Sequence, residues 1–303
     1  MKPILTFFCS LLLVCSGFAK DKQPNVVILL ADDLGSKDLG CYGGPVKTPV
    51  LDGLAAKGVK FTDFHAGAAI CSPSRATLLT GRQHLRTGIY GVLQDHMHNM
   101  HLLEREVTIA EVLQQAGYGT AHFGKWHIGL AREHWPEKHG FQVAFHAQPS
   151  PGPPRGNYFS PYGVKLNAEP SPRSPGGTIT DGPKGEYITD RLTDESIAFI
   201  EANKDKPFYL NLWHYGVHGP WGHKEEYTKE FAKKKDPRGE QRNPIMASML
   251  KSIDQSLGRV LAKLDQLGIA DDTLVVFTSD NGGFVNSCRL NKGLQVANNT
   301  PLR

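Results

Sequence analysis

Two short apolar runs constrain this chain more than any other feature: NVVILLA at 25–31 and TLVVFT at 273–278. Both are rich in β-branched residues and neither alternates with polar ones, the pattern expected of strands buried on both faces of a parallel sheet. Each stops at a pair of oxygen-bearing side chains, Asp32-Asp33 in the first case and Asp280-Asn281 in the second. In an open α/β sheet, ligands gather beyond the carboxyl ends of the strands, so pairs from distant parts of the chain can converge there.

Between these runs helical and strand patterns alternate. Residues 48–58 (TPVLDGLAAKG) read as a helix with a glycine stop, and 59–66 (VKFTDFHA) as a returning strand. Residues 108–117 and 186–204 read as helices, GTAHFG and PFYLNLW as strands, and 244–268 as a long helix with one apolar face from Met246 to Leu264. The alternation predicts an α/β fold with a largely parallel central sheet sandwiched by helices. Residues 148–184 are dense in Pro, Gly and Ser. They read as a long surface excursion, either shaping a substrate rim or without function, and not as a domain boundary. A length of 303 residues suits one large domain, and the formal charge of +4 tolerates an acidic ligand without demanding one. No block of Lys and Arg points to nucleic acid.

The opening MKPILTFFCSLLLVCSGFA carries Lys2, an apolar run from Ile4 to Val14, and small residues at Gly17 and Ala19. This predicts a secretory leader, residues 1–19, and an exported protein, periplasmic or secreted, with no stable membrane anchor. The apolar run is too short to span a bilayer comfortably. Lipidation at Cys15 is a weaker reading, because bulky Val14 stands where such signals place a small residue. Cleavage after Ala19 leaves Cys41, Cys71 and Cys288, so at least one is unpaired, paired with another chain or chemically changed. Cys41 and Cys288 can be drawn as a disulfide, although sequence does not show that they meet.

Asp32, Asp33, Asp280 and Asn281 offer carboxylate and amide oxygens with no adjoining His or Cys ligand pattern. That donor set suits a hard divalent cation, calcium first and magnesium second. Helix capping and turn formation are the alternative for each pair alone. HFGKWHIG places Lys125 and His127 after a strand, and NLWHYGVHGPW places His214 and His218 after another. A lysine and histidines there can neutralise an anion and move protons to its leaving oxygen. Trp126, Trp213 and Trp221 read as packing residues.

The stretch Cys71-Ser-Pro73-Ser-Arg75 with the following ATLLTGR resembles the signature of the type I sulfatases, in the alkaline-phosphatase superfamily. ADDLG, CSPSRATLLTGR, GKWHIG, VHGPW and TSDNGG arrive in that family's order, and the resemblance runs from about Asn25 to the last residue. It implies that Cys71 is oxidised by a maturation enzyme to formylglycine, whose hydrate attacks sulfur through one hydroxyl and expels sulfate through the other. It also implies that Asp32, Asp33, Asp280, Asn281 and the modified Cys71 bind the cation. Arg75 then holds the diol, Lys125 contacts sulfate, His127 is the base and His218 protonates the leaving alcohol. His214 falls outside the matched position and is assigned a structural role. The implied substrates are sulfated carbohydrates or aryl sulfates.

The chain ends in ANNTPLR, where the family continues into a glycine-flanked sulfate-binding lysine and a smaller C-terminal subdomain. Residues 20–303 are therefore expected to be the N-terminal catalytic domain, cut short at its C-terminal end. Two other readings fit the same residues: a phosphonate or phosphate ester hydrolase of the same superfamily, and a truncated, catalytically impaired glycan-binding relative.

Overall fold

The structure, a computed structural model, describes residues 23–94, 99–148, 152–171, 175–233, 243–285, 297 and 299. In chain order its main elements are β1 (Asn25–Ala31), α1 (Pro49–Lys57), α2 (Cys71–Thr80), α3 (Ile109–Gln115), β2 (Gly119–Gly124) and β3 (Val143–Phe145). Three two-residue strands follow, β4 (Ala147–Gln148), β5 (Lys165–Leu166) and β6 (Gly176–Gly177), and then α4 (Ile188–Asn203), β7 (Phe208–Trp213), α5 (Glu225–Ala232), α6 (Pro244–Gln266) and β8 (Thr273–Ser279). The central sheet has the order β3-β2-β7-β1-β8 with every pairing parallel, as the continuous apolar runs predict.

Each face of this sheet has its own core. Val27, Leu29, Leu210 and Leu212 point to the side covered by α4 and α6. Leu30, Tyr209 and Trp213 point to the opposite side, where Ala76 and Leu79 of α2 and Ala110 of α3 pack. Strand alternation thus divides β1 and β7 between two helical layers. Local signals set the helix ends: Thr108 caps α3 through a reciprocal bond with Glu111, and Asn243 caps α6 through the amides of Ile245 and Met246. The buried Asp254 carboxylate of α6 accepts from the first-turn amides of Val50 and Leu51, fixing the start of α1.

Two expectations need correction. Residues 59–66 form no strand: Val59, Phe61 and Phe64 are exposed, and among the described residues no neighbour supplies a ladder. Alternation alone cannot make a strand without a partner edge. Likewise β8, the last strand in the sheet order, is not buried on both faces: none of its residues is fully buried and Leu274 is exposed. Cys41 carries a free thiol. Cys288, the proposed leader and Cys15 lie outside the described residues. No described helix is long and apolar enough to cross a membrane.

His214, directly after β7, is fully buried, and its Nε2 meets the Ser256 hydroxyl of α6 at 2.9 Å. Burial pulls it from 6.5 down to about 3, so the folded protein keeps it neutral while the unfolded chain takes up a proton below its ordinary value. Its stabilising contribution is therefore complete above pH 6.5 and lost as pH falls toward 3, at about 1.4 kcal/mol per pH unit. The thermal unfolding midpoint should fall over this range, and His214→Asn should make the fall shallower. An unchanged slope in that variant would contradict the assignment.

Candidate active site

The carboxyl ends of β1, β2, β7 and β8 finish level, with Leu30 and Gly124 both paired to Trp213 and Ala31 paired to Ser279. The ladder then runs one residue further. Asp32 N–H donates to the Gly216 carbonyl (2.8 Å), Lys125 N–H to the Trp213 carbonyl (2.9 Å) and Asp280 N–H to the Ala31 carbonyl (3.2 Å). Three charged side chains consequently leave neighbouring strands at one height. Gly124 permits this approach: its φ is +110°, and a Cβ there would stand 1.9 Å from the Trp213 carbonyl oxygen.

Cys71 opens α2 above these strand ends, its Sγ 3.7 Å from Asp32 Oδ1. Pro73 lies in the first turn, where its missing N–H leaves no intrahelical bond unmade. Arg75, one turn beyond Cys71, is wholly buried. Its Nε and Nη2 donate to Asp280 Oδ2 (3.0 and 2.8 Å), and its Nη1 donates to the Lys125 carbonyl (2.8 Å). Lys125 Nζ meets Asp32 Oδ2 at 2.6 Å, and the Arg75 guanidinium stands 5.2 Å from the Trp213 ring centre. Trp213, read from sequence as packing alone, is thus also a cation–π floor for the site.

Burial dominates the electrostatics. It raises Asp32 well above the usual carboxylate range, against the pull of Lys125. Burial would raise Asp280 too, but Arg75 and Lys125 hold it down to about 2. Cys71 is pushed far up by burial, which Lys125 only partly offsets, so its unmodified thiol is a poor nucleophile at neutral pH. His127 is fully buried and held neutral, first by burial and then by Lys125. Its Nε2 lies 3.0 Å from the Leu93 carbonyl, while Nδ1 has no hydrogen-bond partner among the described residues. His218 Nδ1 bonds the Gly219 carbonyl, which leaves Nε2 3.7 Å from Asp33 Oδ2. Burial and then Lys125 bring His218 down to about 4, while Asp33 acts to raise it.

Seven of the predicted residues, Asp32, Asp33, Cys71, Arg75, Lys125, Asp280 and Asn281, form one connected cluster, which His218 joins through Asp33. His127 lies behind it, linked through Leu93 to the Ser72 hydroxyl in the first turn of α2. Asp33 and His127 both have left-handed backbones, with φ of 58° and 63°. Non-glycine residues in this region store of order 1–3 kcal/mol each and collect at functional sites.

The cluster fits a hard cation. Donor atoms of Asp32, Asp33 and Cys71 all lie within 4.8 Å of one another. Asn281 donates its amide to Asp33 Oδ1 (2.7 Å), while its own Oδ1 is buried without a partner among the described residues. Three carboxylates face two fixed positive charges, Arg75 and Lys125, so negative charge is left over, and oxygen donors select a hard ion.

A parallel sheet covered by helices, with oxygen donors and a buried Arg and Lys gathered at its strand ends, places the chain in the alkaline-phosphatase-like fold class. Within that class the chain belongs to the sulfatase family, whose Sulfatase model matches residues 24–302. Human arylsulfatase A is 34% identical over 298 residues, covering 90% of this chain and 54% of that protein. Human N-acetylgalactosamine-6-sulfatase is 34% identical over 284 residues, 86% of this chain and 50% of that protein. The crystal structure of Ps i-CgsB in complex with k-i-k-neocarrahexaose superposes with a TM-score of 0.77 at 30% identity, covering 92% of this chain and 61% of that one. Phosphonate monoester hydrolase of Agrobacterium radiobacter, at TM-score 0.56 and 22% identity, shares the fold. The chain spans about half the length of the curated relatives it matches.

Calcium or magnesium should raise the thermal unfolding midpoint, by about 2.7 kcal/mol of stability at a hundredfold excess over Kd, and a chelator should reverse the rise. Asp33→Ala leaves the Asp32–Lys125 and Arg75–Asp280 pairs in place and should remove most of the response. A wild-type midpoint indifferent to both cations would count against the site.

Proposed function

We propose that this chain is the catalytic part of an exported sulfatase that hydrolyses sulfate esters on carbohydrate. One observation carries the reading: in a member of the sulfatase family, Cys71 stands at a helix N-terminus inside a buried carboxylate–cation cluster that suppresses its thiol chemistry. Such a cysteine serves the site as the precursor of another group, and formylglycine is the one its signature implies. When formed, the aldehyde hydrate supplies an oxygen nucleophile and a second hydroxyl, whose deprotonation restores the aldehyde and releases sulfate. The cation, calcium or magnesium, supplies Lewis-acid charge neutralisation through the oxygens of Asp32, Asp33, Asp280 and Asn281.

The chain's own side chains do the rest. Arg75 and Lys125, each tied to a carboxylate, are fixed positive charges facing the anion before it arrives, and so require little reorganisation. The positive end of the α2 dipole, where Cys71 stands, adds to them. His127 is held neutral and its Nδ1 has no partner among the described residues, the state a proton acceptor needs. His218, its Nδ1–H committed to the Gly219 carbonyl, carries a proton to the leaving alcohol on Nε2. Burial is the larger cause that lowers His218, and a sulfate paired with Lys125 would offset the second, the Lys125 charge, and so favour that proton.

Carbohydrate is favoured by two relatives, an N-acetylgalactosamine-6-sulfatase and a structure holding k-i-k-neocarrahexaose. A mouse steryl-sulfatase at 34% identity makes a sterol sulfate the second candidate. The reading includes residues 1–19 as an export leader, a maturation enzyme acting on Cys71, and 20–303 as the catalytic domain.

The test begins with the peptide holding Cys71, from protein made with a maturation enzyme, which should be lighter by about 18 Da, a change outside the ordinary thiol oxidation ladder. Sulfate release from sulfated galactosamine or carrageenan oligosaccharides should accompany it. Cys71→Ala should lose at least about 1000-fold in rate, the scale of a removed nucleophile, without a change in fold by circular dichroism. Faster turnover of an aryl phosphate than of an aryl sulfate would instead favour the phosphate-ester reading, and sulfated glycan binding without release would favour the binding protein.

A further inference from the structure

The Pro- and Gly-rich excursion plays no part in the chemistry above, yet its described residues pack against the loop that carries His218. The Tyr158 hydroxyl, buried in this excursion, donates to the Tyr215 carbonyl (2.8 Å) and the His218 carbonyl (2.6 Å), one shared proton tying both ends of a turn. The same Tyr215 carbonyl receives the His218 N–H (3.1 Å). Gly152 approaches so closely that a Cβ there would stand 2.9 Å from the Gly219 oxygen and 3.2 Å from His218 Nδ1. Just past the other end of the excursion Tyr187 stacks on the Tyr158 ring, with centroids 5.9 Å apart, and donates to the Gly222 carbonyl (2.9 Å). A side chain at Gly222 would run into the Tyr158 side chain at 2.5 Å.

The bond that orients the His218 ring is the one from Nδ1 to the carbonyl of the very next residue. Ring direction therefore follows the backbone of residues 215–219, and that backbone is held from outside by Tyr158. We propose that Tyr158 is a positioning residue for His218: its hydroxyl fixes the His218 peptide so that Nε2 faces the oxygen of the departing alcohol. This rests on the reading of His218 as the group that protonates that alcohol.

The experiment uses Tyr158→Phe in the full, matured protein, with kcat measured on a sugar or alkyl sulfate and on 4-nitrophenyl sulfate. The sugar alkoxide needs a proton to leave and the nitrophenolate hardly does. Tyr158→Phe should slow the sugar sulfate about tenfold or more, part of the span that acid catalysis supplies, and 4-nitrophenyl sulfate by less than about twofold. KM should hold for both. His218→Gln should show the same substrate dependence, and adding Tyr158→Phe to it should cost nothing further. Equal slowing of both substrates, or no slowing of either, would overturn the proposal. Gly152→Ala presses on the imidazole from the same excursion and is a second variant with the same expected selectivity, should Tyr158→Phe fold poorly. Hydrogen exchange of the amides at 215–219 supplies an answer independent of turnover: it should speed up in Tyr158→Phe while β7 and α6 keep their protection. Unchanged exchange there would overturn the positioning role even if the wild type released no sulfate, a result that would separately defeat the sulfatase reading.

Discussion

The buried ion pairs Asp32–Lys125 and Asp280–Arg75 are the interaction on which the rest of the site depends. Burying an isolated charge costs several kcal/mol, and good geometry with additional hydrogen bonds is needed to offset it. Both conditions are met. Arg75 places three of its donors on Asp280 Oδ2 and the Lys125 carbonyl, and Lys125 Nζ lies 2.6 Å from Asp32. These contacts join α2 to the ends of β1, β2 and β8, so the helix that presents Cys71 is fixed by charge as well as by Ala76 and Leu79 in the core. Under the proposed function, with a cation bound, such a site would be preorganised for an anion, because its positive side chains are oriented by the fold and not by the ligand.

The same pairing separates the chemical roles of similar groups. Asp32 and Asp280 sit equally deep, yet one is raised by burial and the other held down by Arg75 and Lys125. The distribution of two cations over three carboxylates leaves Asp33 and the Asn281 amide oxygen as the donors least committed to the protein. Asp33 reaches its place through a left-handed backbone, and Asn281 is steered by its amide bond to Asp33. The left-handed backbone and the unpartnered amide oxygen thus fall on Asp33 and Asn281, while Asp32 and Asp280, which would share the cation with them, also brace the structure through Lys125 and Arg75.

Much of this was legible in the sequence because it depends on short-range pattern. NVVILLA reads as a buried strand because both faces of β1 are covered, and Asp32 follows it at the ladder's end. The spacing from Cys71 to Arg75 is one helical turn, enough to place both on the same side of α2. VKFTDFHA and TLVVFT misled for a shared reason: whether a strand forms, and whether both its faces are buried, depends on neighbours that its own residues do not specify. The part of Trp213 beneath Arg75 was hidden because a tryptophan in a strand always reads first as packing. His214 and His218 are alike in local pattern within NLWHYGVHGPW, and in the sequence only the family resemblance tells them apart; the fold gives the physical reason, sending one ring to Ser256 in the core and the other toward Asp33.

His218 also differs from the other site residues in how it is carried. Asp32, Lys125 and Asp280 continue strand ladders, and Cys71 and Arg75 ride on a helix, so regular hydrogen bonding fixes each backbone. His218 stands just past the last bond of this kind, from Val217 N–H to the Asp32 carbonyl, on a loop outside the sheet. Trp221 bonds the Val217 carbonyl from within that loop, while the excursion and its edge supply hydroxyls from outside, through Tyr158 to Tyr215 and His218 and through Tyr187 to Gly222. An irregular segment can reproduce ladder-like rigidity only by giving its carbonyls external donors, and two buried tyrosine hydroxyls do this here. The low periodicity of the excursion, which makes it read as dispensable, follows from the same fact. Its surface is shaped to the carbonyls of another loop, and such a surface leaves no repeat in the sequence.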